Sequence, residues 1–237
     1  MHADSRYLRV VGQLTLLSAA LAIASLAVGA MAVEFDFDAF SDPTRTLAYA
    51  EHHALMFWFA ILDMFGYYLL LLPVVLQQHL WLRERSSWAP LITLSGVAYA
   101  IIGAVGAAVL AAVWPDLLQQ LRSATADDQA VIAYIFTTVT TAVTKGLWNI
   151  LEMVFAALWW IGAGLLQRVA MPLVGWLSVA TGTSCLLDLV GNLGGVEALS
   201  AAGLNLYLVL AIVWAVAIGV HLLRATPGQP PTQREAP

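Results

Sequence analysis

Six apolar stretches, each about as long as a bilayer is thick, constrain this chain more than any other feature. They cover residues 10–33, 54–76, 89–113, 146–166, 173–193 and 201–223. About 20 residues of helix, rising 1.5 Å each, cross the ~30 Å hydrocarbon layer of a membrane. Lipid offers no partner to a backbone amide, so such segments must satisfy their own hydrogen bonds as helices. Composition agrees: 61% of the 237 residues are hydrophobic and 11% charged, against roughly 45–50% and about 25% in soluble domains. The expectation is an all-α, polytopic membrane bundle of six transmembrane helices over residues 1–224, with the lipid bilayer as its first partner.

The first stretch follows Arg6 and Arg9 and ends at AVGAMAV, which imitates a signal-peptide cleavage site. Its length exceeds the ~7–15 residues of a signal h-region, so it reads as a retained first helix. Arg6, Arg9, Arg83, Arg85, Arg168, Arg224 and Arg234 fall on the side of the N-terminus, and Arg45, Arg122 and Lys145 on the other. The positive-inside rule then places both termini in the cytoplasm. The natural setting for such a chain is a bacterial inner membrane. Ten Lys and Arg in all cannot build the basic stripe that nucleic acid requires. A single cysteine, Cys185, excludes an internal disulfide and any CxxC metal or redox motif.

Three connecting regions stand out. Residues 129–167 show no clear break, and ~39 residues of helix would be nearly twice the hydrocarbon thickness. The Thr-rich part, AVIAYIFTTVTTAVT, is therefore expected to form a separate outer segment or a helix projecting from the membrane. A seventh span would carry Arg168 and Arg224 to the outer side, against the charge pattern. The acidic stretch EFDFDAFSDPTRT is either a lid or a solvated loop with Phe at the interface, and the Pro-rich end, residues 225–237, is expected to be disordered. Trp81, Trp88, Trp114 and Tyr207 lie near span ends and suit interfacial anchoring.

Ionisable residues within a span are expensive and mark cavities or partners. Here they are Asp63, Glu152 and Asp188. His53, Asp63 and Tyr67 follow helical spacing on one face of the second span, Lys145, Asn149 and Glu152 do so at i, i+4 and i+7, and Asp188 pairs with Asn192 at i, i+4. Counting rise per residue from the outer ends puts Asp63 at ~14 Å, Glu152 at ~9 Å and Asp188 at ~8 Å. This predicts an outward-facing polar cavity between spans 2, 4 and 5, lined by these eight residues and holding a small molecule or ion.

Three functions compete. In transport, carboxylates would bind protons or a cation, with Lys145 as counter-ion. In an embedded isomerase or cyclase acting on a lipid or terpenoid, Asp63, Glu152 and Asp188 would be the catalytic acids, and the cavity would open sideways among Trp58, Phe59, Trp148 and Trp159. An accessory subunit would instead satisfy every polar group within the bundle, by pairing Lys145 and the three acids. No Glu-x-x-His or His-x-x-x-His spacing supports a metal. Haem between His79 and His221 is geometrically possible, but both sit beside arginines as interfacial groups do, and no cofactor is expected.

Two stretches, ILDMFG (residues 61–66) and LLDLVG (residues 186–191), place Asp and Gly alike in the middle spans of the two three-span halves. Such a chain could be an inverted repeat.

From GLWNILEMVFAALWWIGAGLLQ through RVAMPLVGWLSVATG to LNLYLVLAIVWAVAIGVHLL, the C-terminal third resembles an uncharacterised family of bacterial six-span integral membrane proteins, catalogued as a domain of unknown function. Pro172, Gly175, Trp176, Leu177 and Ser178 match the opening of that family's fifth span. The resemblance implies six-span topology and carries no activity.

Overall fold

A computed structural model describes residues 5–40 and 42–224. The expected disordered end, residues 225–237, lies outside the described residues. Six helices are long and apolar enough to cross a membrane: α1 (Ser5–Ala32), α2 (Pro43–Leu82), α3 (Ala89–Ser123), α4 (Ala126–Gln167), α5 (Pro172–Gly194) and α6 (Glu197–Arg224). Each of the six corresponds to one span expected from the sequence, the first expected span running one residue past Ala32, and there is no strand among the described residues.

Successive helices pack side by side, and α1 closes on α6, so the six form a ring. The ring interior is filled by aromatic side chains from α2, α3, α4 and α6, including Tyr68, Tyr99, Trp159, Trp160, Tyr207 and Trp214. Six crossings leave both described ends on one face, termed here the terminus side. The opposite face is the cap side.

Helices α3 and α4 outrun the membrane. At 1.5 Å per residue, 35 and 42 residues give ~52 and ~63 Å, against ~30 Å of hydrocarbon. The stretch expected to be a separate segment or a projecting helix is the latter, continuous in trace with α4. Its N-terminal turn is fixed by Thr125, whose hydroxyl accepts from the Asp128 amide at 3.4 Å, with Asp127 and Asp128 in the first turn complementing the helix dipole. The projecting hairpin has its own core: Leu110, Trp114 and Leu118 of α3 meet Phe136 and Val143 of α4 and Ala39 of the connection after α1. The Trp114 indole donates to Thr140 Oγ1 at 2.8 Å.

The acidic connection is a folded cap piece rather than a solvated loop. Arg45 bridges Asp36 and Asp38 at 3.0 and 2.9 Å, Tyr49 donates to Asp36 at 3.0 Å, and Thr46 donates to the Ala39 carbonyl at 2.7 Å. Two expected interfacial anchors are core residues instead, Trp114 in the cap and Tyr207 in the ring, whereas Trp88 is exposed.

Two of the six helices are irregular. Within α2, the stretch Met64–Tyr68 widens into a π-type turn, where the Leu69 amide reaches back five residues to the Met64 carbonyl, and a tighter turn follows at Leu69–Leu71. Pro73 supplies the cause, since it has no amide to donate and its ring crowds the carbonyl four residues earlier. Within α4, Ala142–Glu152 is π-type as well.

Candidate functional site: a buried carboxylate layer

Asp63, Glu152 and Asp188 enter the ring from α2, α4 and α5. Measured from the terminus-side ends of their helices, they lie ~28, ~22 and ~24 Å deep by rise per residue, so they share one layer. All three are buried, with 7%, 0% and 0% of their surface exposed. Asp63 and Asp188 both lie within electrostatic reach of Glu152. The three acids set together by their sequence depth thus lie at similar depth, buried inside the ring.

Among the described residues the three carboxylates are enclosed rather than lining the open polar cavity expected around them. Carboxylates with this burial do not face an outward vestibule, and two well-formed cavities among the described residues lie elsewhere. One is a void of about 10 Å³ between α1, α2 and α6. The other is a groove of about 430 Å³ on the outer surface of α3, α4 and α5, lined by Trp88, Leu91, Leu158 and Leu186 among others and reaching no carboxylate.

Lys145 does not belong to the layer. It is exposed and makes no ion pair with Glu152, while Asn149 is only half-buried. The i, i+4, i+7 reading assumed a regular α-helix. The π-type turn over Ala142–Glu152 bonds i to i+5 and widens the winding, so that spacing no longer keeps one face. Every Lys and Arg among the described residues is exposed, so the carboxylates have no basic partner inside the ring. The expected pairing of Lys145 with the acids therefore fails.

His53 is also apart from the layer. Ten residues of helix separate it from Asp63, or ~15 Å, although its Nδ1 is buried without a hydrogen-bond partner. Tyr67 lies within electrostatic reach of Asp63, and its hydroxyl donates to the Leu208 carbonyl on α6 at 3.2 Å. His79 pairs with Thr93 at 2.8 Å and His221 packs edge-on against Trp81.

The three acids differ in their bonding. Asp188 Oδ1 accepts from Asn192 at 2.8 Å and from the Ser200 hydroxyl of α6 at 2.6 Å, and Asn192 also donates to Ser200 at 2.7 Å. The predicted Asp188–Asn192 pair is thus a clamp between α5 and α6. Around Glu152 the Tyr68 and Tyr207 hydroxyls face the carboxyl, yet neither Glu152 oxygen has a hydrogen bond of good geometry. Asp63 Oδ2 and Asp188 Oδ2 likewise have none.

Tyrosines complete the enclosure, and sequence reading missed all but Tyr67. The Tyr99 hydroxyl donates to the Tyr67 carbonyl at 2.8 Å and shares a 2.8 Å bond with the Tyr207 hydroxyl. Tyr99 packs against Trp159 and Trp160 at 5.5 and 5.0 Å between centroids. Their only signal in the sequence is a hydroxyl within an apolar run, which hydropathy does not register.

The two Asp-Gly motifs are used differently. A Cβ on Gly66 would sit 2.8 Å from the Ala22 Cα of α1, so the missing side chain lets α2 and α1 meet backbone to backbone. Gly191 instead meets Ser200 of α6, where an inverted repeat would require α4. That contact gives the motifs no equivalent places. No family model, curated protein or solved structure matches this chain.

Proposed function

We propose that this multi-pass membrane protein binds and passes protons at Glu152, as a proton-conducting or proton-coupled transporter. Both termini would lie in the cytoplasm of a bacterial inner membrane, the orientation that the arginine-rich side favours. Its family assignment rests on the resemblance of the C-terminal third alone.

One observation carries the reading. Glu152 is fully enclosed, only the Tyr68 and Tyr207 hydroxyls face it and neither oxygen has a hydrogen bond of good geometry, and no Lys or Arg among the described residues enters the ring. An anion held there without a counter-charge is strongly disfavoured. The site therefore suits a group that carries a small positive ligand. A hard metal cation wants about six oxygen ligands in an accommodating cage. A proton needs a single oxygen and no volume, which is what a carboxyl packed among tyrosines provides.

The embedded isomerase or cyclase is the second reading, supported by the aromatic rings around Glu152. It is weaker because the sideways-opening groove contacts none of the acids. The accessory-subunit reading requires every polar group to be satisfied in the bundle, and Asp63, Glu152, Gln77 and Gln167 all carry atoms that are not.

Purified protein in liposomes with a trapped pH dye tests the proposal. A potassium diffusion potential should drive proton entry well above that of protein-free vesicles, and Glu152→Gln should return it to the protein-free rate. Wild-type vesicles no leakier than empty ones would sink the reading.

A further inference from the structure

Glu152 lies ~22 Å from the terminus-side end of α4, and a second set of buried polar groups fills that interval. The Trp159 indole of α4 donates to Gln78 Oε1 of α2 at 2.9 Å, and Gln78 Nε2 donates to Gln167 Oε1 of α4 at 3.1 Å. Gln167 Nε2 and both polar atoms of Gln77 have no partner, although both side chains are essentially fully buried. Gln167 is the last residue of α4, and Gln77 is ~8 Å from the end of α2.

Gln78 and Gln167 connect to the carboxylate layer, and Gln77 adjoins Gln78 in sequence. Tyr207, which faces Glu152, shares a hydroxyl bond with Tyr99, and the Tyr99 ring packs on Trp159. Trp159 bonds Gln78, and Gln78 bonds Gln167. The contacts run from the acid to the buried Gln167 at the terminus-side end of α4, through side chains of α3, α4, α6 and α2.

We infer that Gln77, Gln78 and Gln167 hold water in the terminus-side half of the ring, forming the passage by which Glu152 exchanges protons with that face. The purpose assigned to this passage rests on the proton reading above; the water site does not. Amides suit the role because they neither titrate nor carry charge, and so do not trap a proton released by the acid. They offer donors and an acceptor to water, and a buried amide left unpaired is costly, whereas buried water commonly satisfies such groups with about three hydrogen bonds. In the transfer step the Glu152 O–H bond breaks and an O–H bond forms on the adjacent water. That leaves a carboxylate and a hydronium, whose proton reaches the terminus-side solution. Reloading is the reverse step, and no electrons change hands. The cap-side half adds the carboxyl of Asp63 and the imidazole of His53 on α2, so the two halves of the route differ in chemistry.

Two measurements test this. In liposomes, Gln77→Leu should lower proton flux at least tenfold. Gln77 makes no hydrogen bond that the fold needs, so the variant should assemble normally. The infrared band of the protonated Glu152 carboxyl, assigned by its loss in Glu152→Gln, should persist in it. Wild-type flux in Gln77→Leu would overturn the passage. Independently of any flux, Gln77→Cys in a Cys185→Ala background should react with a small water-soluble methanethiosulfonate added from the terminus side. A thiol that stays unlabelled refutes the water site even if the protein conducts protons, and a labelled thiol in a protein without flux supports the water site while the proton reading fails.

Discussion

Gly66→Ala is the sharpest test of how α1 and α2 meet. The new Cβ would lie 2.5 Å from the Ala22 nitrogen and 2.8 Å from both the Ala22 Cα and the Leu21 carbonyl carbon. Comfortable carbon contacts begin at ~3.5 Å, so the helices must part by most of an ångström. The obstacle is backbone, which cannot rotate aside as a side chain would. Overpacking of this kind costs about 1–3 kcal/mol. Parting the helices also stretches the bond from the Ser18 hydroxyl to the Gly66 carbonyl, and interhelical bonds in membranes average ~0.6 kcal/mol. Against this, Ala gains about 0.5–1 kcal/mol over Gly within a helix. The net expectation is a loss of about 0.5–3 kcal/mol, the balance of those terms.

Gly146→Ala isolates the helix-propensity part, because nothing lies within 4 Å of the Cβ it would add. It should leave stability unchanged or raise it by up to ~1 kcal/mol. Unfolding in mixed micelles with increasing SDS, followed by tryptophan fluorescence, measures both variants on one scale. The reasoning is wrong if Gly66→Ala is as stable as the wild type, or if Gly146→Ala is destabilised as much as Gly66→Ala.

Two further outcomes follow from the bonding. Thr140→Val leaves the buried Trp114 indole without its acceptor and should cost about 1–3 kcal/mol. Limited proteolysis of the projecting α3–α4 hairpin should accelerate while the membrane ring stays folded. Asp188→Ala removes the acceptor shared by Asn192 and Ser200 and should weaken the α5–α6 pair by about 1–2 kcal/mol. The same SDS titration reads it, and stability equal to the wild type would show that the clamp is not structural.

The six spans were legible because hydropathy over a bilayer-length window responds to the one solvent that every span shares. Their ends were less so. The outer parts of α3 and α4 are held by Trp114, Leu118 and Phe136 packing on one another, a tertiary effect that no local window sees. The carboxylate layer could be read from depth alone, since rise per residue places Asp63, Glu152 and Asp188 without knowledge of their neighbours. Their partners could not. Lys145 was set beside Glu152 by assuming regular winding, and Tyr207 was read as interfacial because a ring with a hydroxyl suits either place. Pro73 was the one visible clue to the broken winding of α2, since a proline inside a span forces its neighbours to rearrange.

That broken winding separates the three acids. Asp188 sits in an unbroken helix and spends one oxygen on a clamp to α6. Asp63 immediately precedes the π-type turn of α2, and Glu152 closes the one in α4. Non-helical backbone survives at membrane depth only where protein groups take up its polar atoms. Here Ser18 donates to the Gly66 carbonyl and Tyr99 to the Tyr67 carbonyl. The side chains that repair the α2 turn thus come from α1 and α3, so any change in that turn is felt by both neighbours. Each of the three acids keeps a buried oxygen unbonded, but only Asp188 ties its other oxygen to a neighbouring helix, whereas Asp63 and Glu152 border the irregular turns.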